Sequence, residues 1–156
     1  EEETIAGYAM TMTSDNYLII TGTYESLENR ISDVFLLKVD MQGNELWRTT
    51  YGDPILYEVG GSVIETLNNN YLVLTSSAYS LYTGESGVNL LFFDLNGNYL
   101  RTEQVSTRYS IKAQAILLLE DGGYVVTGSM INSSLNTYQV MLIKTDADGH
   151  MQDESR

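Results

Sequence analysis

The chain contains no cysteine, so it can build no disulfide framework, thiol nucleophile or thiolate metal site. It has a single histidine, His150. No second imidazole is there to share a metal ion, and no orienting partner for general-base work can be read from its neighbours. Basic residues are scarce, with 8 Lys and Arg against 21 Asp and Glu for a net charge of −13. That balance repels phosphate backbones and anionic headgroups, which argues against nucleic acid and membrane surfaces as partners. No apolar run approaches the ~20 residues that cross a bilayer, so membrane insertion is not expected. The start, Glu1-Glu2-Glu3-Thr4, lacks the basic and apolar parts of a signal peptide. No serine stands in a nucleophile elbow, and the glycines are scattered through turns instead of opening a helix, which leaves phosphate cradling without support.

What the chain does have is a threefold internal repeat. Asp15-Asn16-Tyr17-Leu18-Ile19-Ile20 returns as Asn69-Asn70-Tyr71-Leu72-Val73-Leu74 and again as Gly122-Gly123-Tyr124-Val125-Val126-Thr127. A second landmark keeps step, with Lys38-Val39-Asp40-Met41-Gln42-Gly43-Asn44 recurring at Phe93-Asp94-Leu95-Asn96-Gly97-Asn98 and at Lys144-Thr145-Asp146-Ala147-Asp148-Gly149-His150. Two landmarks holding one offset indicate duplication, and a period of about fifty residues is the range of propellers and related arrays. The repeats run over residues 4–53, 57–106 and 110–156 of a single domain. A chain of 156 residues should bury roughly 70% of its unfolded surface.

Each repeat reads as four short strands bounded by turn residues. In the second they are Ser62 to Leu67, Tyr71 to Ser76, Val88 to Asp94 and Asn98 to Val105. Asn68-Asn69-Asn70 closes the first hairpin, as do Ser14-Asp15-Asn16 and Asp121-Gly122-Gly123. Helix is disfavoured, because β-branched residues and tyrosine crowd the apolar stretches and Gly or Asn interrupts them. Three four-stranded units fit either a closed β-trefoil or three blades of a β-propeller. Leu72-Val73-Leu74, Leu90-Leu91-Phe92-Phe93 and Val140-Met141-Leu142-Ile143 are continuously apolar. Strands of that kind should be covered on both faces, which stacked blades achieve and a barrel with one wet face does not. The fourth strand, Asn98-Tyr99-Leu100-Arg101-Thr102-Glu103, carries the charge of an outer edge. The expected fold is therefore all-β, three four-stranded antiparallel propeller blades forming a half-ring or a fragment of a larger ring, with the trefoil as alternative.

Asp121-Gly122-Gly123-Tyr124, the Lys144-Thr145-Asp146-Ala147-Asp148-Gly149 turn, and Trp47 followed by Thr50-Tyr51-Gly52 together resemble the Asp-Gly-Gly-Tyr β-propeller repeats of secreted and surface-attached bacterial and archaeal proteins. Arg101 replaces the tryptophan in the second repeat and Asp153 stands near that place in the third, so the strand from His150 to Arg156 should be weak. The resemblance implies a propeller and an extracytoplasmic address, with the export signal outside this chain, and it brings no catalytic residue. An arc of three blades would leave two apolar blade faces open. Two chains joined as a six-bladed homodimer, or a longer propeller, would cover them.

The Asp-x-x-Gly turns beginning at Asp40, Asp94 and Asp146 resemble the start of a calcium loop. A calcium loop needs a glutamate at its twelfth position, where Tyr51 and Val105 stand instead, so ordinary hairpin turns are expected, with no metal and no cofactor. Loop carboxylates such as Asp53 and Glu58, with Glu25, Glu28, Asp33 and Glu85 in other loops, could serve glycoside hydrolysis; solvated charge is the plainer reading. Tyrosine gives the better signal. The long, variable connections are expected at Gly22 to Asp33, Thr50 to Gly60, Ser77 to Gly87, Ser106 to Lys112 and Ser129 to Tyr138. They hold seven of the twelve tyrosines: Tyr24, Tyr51, Tyr57, Tyr79, Tyr82, Tyr109 and Tyr138. Tyrosine pairs an apolar ring with a hydroxyl at small entropic cost. A non-enzymatic module binding a glycan or protein partner through this acidic, Tyr-rich edge is the expected function. A carbohydrate-active hydrolase and a purely structural piece of a larger assembly are the alternatives, and wedging of Tyr51 and Tyr57 between blades is the competing role for those rings.

Overall fold

The computed structural model describes residues 3–26, 31–78, 86–106, 111–132 and 137–152. Eleven antiparallel strands form three separate sheets, with no helix among the described residues. The first sheet is a meander of β1 (Glu3–Met12), β2 (Leu18–Ser26), β3 (Ser32–Val39) and β4 (Glu45–Tyr51). The middle sheet repeats it with β5 (Tyr57–Glu65), β6 (Tyr71–Ala78), β7 (Ser86–Phe93) and β8 (Tyr99–Ser106). The third contains β9 (Ile111–Leu118), β10 (Tyr124–Asn132) and β11 (Thr137–Thr145). Every strand ladder joins neighbours within one sheet, and none of the sheets closes on itself. The single barrel of a trefoil would need ladders between repeats, and none is present among the described residues. Among the described residues the third sheet has no fourth strand; a Thr145 to Met151 bridge and a bond from the Gln152 amide to the Lys144 carbonyl at 3.1 Å lie there, at the segment expected to be weak.

The turns explain why the sequence repeats where it does. In the first hairpin of each sheet the Thr13, Thr66 and Leu119 amides donate to the carbonyls of Tyr17, Asn70 and Gly123, at 2.8, 2.8 and 2.9 Å. Such turns need one residue with positive φ, supplied by Asn16 (63°), Asn69 (56°) and Gly122 (86°), residue types that enter the left-handed region at least penalty. This register corrects the alignment of the repeats by one residue. Leu18, not Tyr17, is equivalent to Tyr71 and Tyr124, because Leu18 pairs with Val39 as Tyr71 pairs with Phe93 and Tyr124 with Thr145. Tyr17 sits in the turn, where its ring meets the Lys38 ammonium at 4.8 Å.

The sheets pack face to face in chain order. Ile19, Val34 and Leu36 of the first sheet meet Tyr71, Val73, Leu91 and Phe93 of the middle one. From the other side of the middle sheet, Leu72, Leu74, Leu90 and Phe92 meet Tyr124, Val126 and Met141 of the third. Alternate residues of β6 and β7 therefore point into two different cores, which is why their sequence is continuously apolar. Each such buried side chain contributes about 1.5–3 kcal/mol before entropy is subtracted. In the third sheet the opposite face is open among the described residues. Met141 is 5% exposed whereas its neighbours Val140 and Leu142 are 82% and 66% exposed.

A turn from each following sheet completes the stacking. Trp47 of β4 lies across the turn at Gly97, so close that a Cβ there would stand 2.7 Å from the indole, and its ring is 6.0 Å from that of Tyr71. Arg101 occupies the corresponding place in β8: it donates to the Asp148 carbonyl at 2.8 Å and covers the Phe92 ring at 3.7 Å. Tryptophan and arginine thus perform one task in successive repeats, each reaching into the Asp-x-x-Gly turn of the next sheet.

Candidate functional site

The two edges of the stack differ in what their carboxylates do. On the hairpin edge, Asp40 accepts hydrogen bonds from the Gln42 and Asn44 amides at 2.9 and 2.8 Å and from the Asn44 side chain at 2.7 Å. Asp94 does the same with Asn96 and Asn98, and Asp146 with the Asp148 and His150 amides. These bonds hold all three acids below the usual carboxylate range; the Asn44 and Asn98 side chains are the leading cause for Asp40 and Asp94, and the His150 amide for Asp146. A carboxylate turned onto its own backbone is a turn device and is already occupied, which accounts for the repeating aspartate without calcium. No group of three or more potential ligand side chains among the described residues is arranged to hold a metal ion.

His150 is better surrounded than its sequence neighbours suggest. Its Nε2 lies 3.7 Å from Glu103 and its Nδ1 3.5 Å from Asp146, with most of the side chain exposed. Glu103 belongs to the middle sheet, so this proximity arises from sheet stacking and carried no signal in the sequence.

The opposite edge bears the variable connections. Here the strands run further than the apolar stretches indicate, because backbone pairing continues where side chains turn polar. Tyr24 pairs with Ile5 and Asp33 inside the first sheet, Tyr57 pairs with Ala78 at the start of β5, and Tyr138 pairs with Ile131 in β11. Four of the seven candidate tyrosines, counting Tyr51 at the end of β4, are therefore strand residues and not loop residues. Tyr79, Tyr82 and Tyr109 lie outside the described residues, as do Glu28 and Glu85. Tyr138 is 77% exposed, and the Tyr24 hydroxyl donates to Glu3 at 3.0 Å. Tyr51 stacks on Tyr99 at 4.2 Å and meets Phe93 edge-on at 6.3 Å, so its ring fills the seam between first and middle sheets. Tyr57 is half-buried.

Beside Tyr51 three acids converge. The Asp53 amide donates to Glu58 Oε2 at 2.8 Å, and Asp33 stands against Gly52, where any Cβ would collide with its carboxylate. Glu58 is 4% exposed. Burial pushes its carboxyl up, the Asp53 amide opposes that shift, and the charges of Asp33 and Asp53 add to it. Burial raises Asp33 as well. No cation is paired with either among the described residues. A buried acid of this kind is available as a hydrogen-bonding anchor for the Thr50 to Gly60 connection, and its burial removes it from direct contact with a substrate.

No protein-family model matches the chain, and no curated protein matches it significantly.

Proposed function

We propose that this chain is a non-enzymatic β-propeller module of three blades, of the Asp-Gly-Gly-Tyr type, that works outside the cytoplasm by holding a glycan or protein partner on its Tyr-bearing edge. The observation that carries the reading is the contrast between edges. Hairpin-edge aspartates are consumed by their own turns, whereas the other edge combines exposed Tyr138 with Tyr24, Tyr57 and an acidic group lacking cationic partners among the described residues. Aromatic rings beside hydrogen-bond acceptors suit donor-rich surfaces, sugar hydroxyls among them. Tyr79, Tyr82 and Tyr109, outside the described residues, are assigned to this edge on the sequence alone. Tyr51 belongs to the packing. The fold alone does not dictate the ligand.

Hydrolysis is the weaker reading, because Glu58, one of two neighbouring acids whose pKa is raised, is buried and bonded to its own loop. A glycan array read in parallel for binding and for product release separates the two. Binding without turnover is expected, with at least a tenfold loss in the Tyr79→Ala/Tyr82→Ala variant at an unchanged melting temperature. Binding that survives that substitution together with Tyr57→Ala and Tyr138→Ala, or turnover that Glu58→Gln abolishes, would overturn the proposal.

A further inference from the structure

The register of the three sheets places equivalent cross-strand pairs on the same forward face. They are Ile19 with Lys38 and Thr21 with Leu36 in the first sheet, Leu72 with Phe92 and Leu74 with Leu90 in the middle sheet, and Val125 with Lys144 and Thr127 with Leu142 in the third. The first of these faces packs on the middle sheet and the second on the third sheet. The third face meets no other sheet among the described residues: Leu142 is 66% exposed and Val140, its neighbour on that face, 82%.

The rear faces show the complementary pattern. Tyr71, Val73 and Leu91 receive the first sheet, and Tyr124, Val126 and Ile143 receive the middle one. Their equivalents in the first sheet, Leu18, Ile20 and Leu37, are half-buried with no sheet behind them among the described residues; Phe35 and Val39 on that face are covered, whereas Met10 and Met12 of the adjacent β1 are 68% and 62% exposed. The turns agree with the faces. Gly97 lies under Trp47, and a Cβ at Gly149 would stand 3.2–3.3 Å from Leu90 and Glu103, yet nothing lies within 4 Å of a Cβ at Gly43, although its φ of 87° matches theirs. Among the described residues the first sheet therefore presents an acceptor turn with no donor.

We propose that the forward face of the third sheet docks on the rear face of the first sheet in a second copy of this chain, repeating between molecules the step made twice within one. In a two-fold dimer both such contacts form together, which covers all four open faces and leaves none to propagate. This rests on the reading of the sheets as blades for its closure, and it is independent of what the Tyr-bearing edge binds. The occupant is a second copy because the uncovered positions are equivalent, pair by pair, to those that already fit each other inside the chain.

Two variants test the pairing by sedimentation velocity: Val140→Asp/Leu142→Asp, which breaks the forward face, and Met10→Asp/Met12→Asp, which breaks the rear face. All four side chains are exposed within one chain, so circular dichroism should show both variants folded. The unmodified chain is expected to sediment at twice the monomer mass and each variant alone at the monomer mass. An equimolar mixture of the variants should regain a heterodimer through the one forward-to-rear contact left intact. A dimer that persists in either variant alone would mean like faces pair with like and would overturn the proposal, as would an unmodified chain that is monomeric at every concentration. Either result leaves the binding proposal standing, because glycan binding is read separately.

Discussion

Gly43 and Gly97 form a natural control for the docking of one sheet on the next. Both occupy the same position in the same turn, with φ of 87° and 82°, and differ in that Trp47 covers only Gly97. Alanine at either site must adopt a left-handed conformation, which costs about 1–2 kcal/mol. At Gly97 the new methyl would also sit 2.7, 2.9 and 3.1 Å from three atoms of the indole, forcing Trp47 off Tyr71 at an overpacking penalty of about 1–3 kcal/mol. Gly43→Ala is thus expected to destabilise by about 1–2 kcal/mol and Gly97→Ala by about 2–5 kcal/mol. Urea denaturation in the Val140→Asp/Leu142→Asp background, which removes association, would read the difference directly. In a Trp47→Ala background the gap should shrink to within about 0.5 kcal/mol, the range in which independent effects add. Equal losses for the two glycine variants with Trp47 present would refute the docking of β4 on the following turn.

Two further outcomes follow from the acids. The folded-state pKa of Glu58 lies above its unfolded value, so its contribution to stability is full below the unfolded pKa and is lost as pH rises through the folded one. Glu58→Gln, which cannot ionise and keeps an acceptor for the Asp53 amide, is expected to melt higher than the unmodified chain at neutral pH and to lose that advantage below the ordinary carboxyl range; a lower melting temperature at pH 7 would contradict the assignment. Asp15 and Asp121 provide a second matched pair. Lys38 Nζ is 2.8 Å from Asp15 with its side chain 6% exposed, whereas Lys144 lies 3.6 Å from Asp121 at 43%. Asp15→Asn strands a covered ammonium and should cost on the order of 1–2 kcal/mol, less than a fully buried pair because Asp15 is half-exposed. Asp121→Asn should be close to neutral in the monomer, measured by the same denaturation. The Asp15 pKa is lowered, first by its bond from Lys38, so the Asp15→Asn deficit should fade as pH drops through that lowered value.

Much of the architecture was legible in the residues. Continuous apolarity in Leu72-Val73-Leu74 and Leu90-Leu91-Phe92-Phe93 signalled burial on both faces, and these side chains do divide between two cores. The Asp-x-x-Gly turns were legible because positive φ and side-chain capping demand particular residues. The one-residue displacement of Tyr17 was not, since a tyrosine in the turn and one at the start of a strand look alike in sequence. Strand extension through Tyr24, Tyr57 and Tyr138 was also hidden, because those ladders are made by backbone groups that any residue carries. The raised acids beside Tyr51 were out of reach for another reason. Asp33 approaches Gly52 only when β3 and β4 are paired, and Glu58 of the middle sheet comes beside Asp33 and Asp53 only when the first two sheets stack, so their environment is a property of the folded sheets. The likeness of Trp47 to Arg101 emerged only from the shared turn they cover.

Static light scattering on the unmodified chain across a range of concentrations tests most directly whether the stack ends in two complementary open faces. A mass of twice the chain's 17.4 kDa is expected wherever the protein is folded. A mass of 17.4 kDa at every concentration, with a cooperative melt, would contradict it.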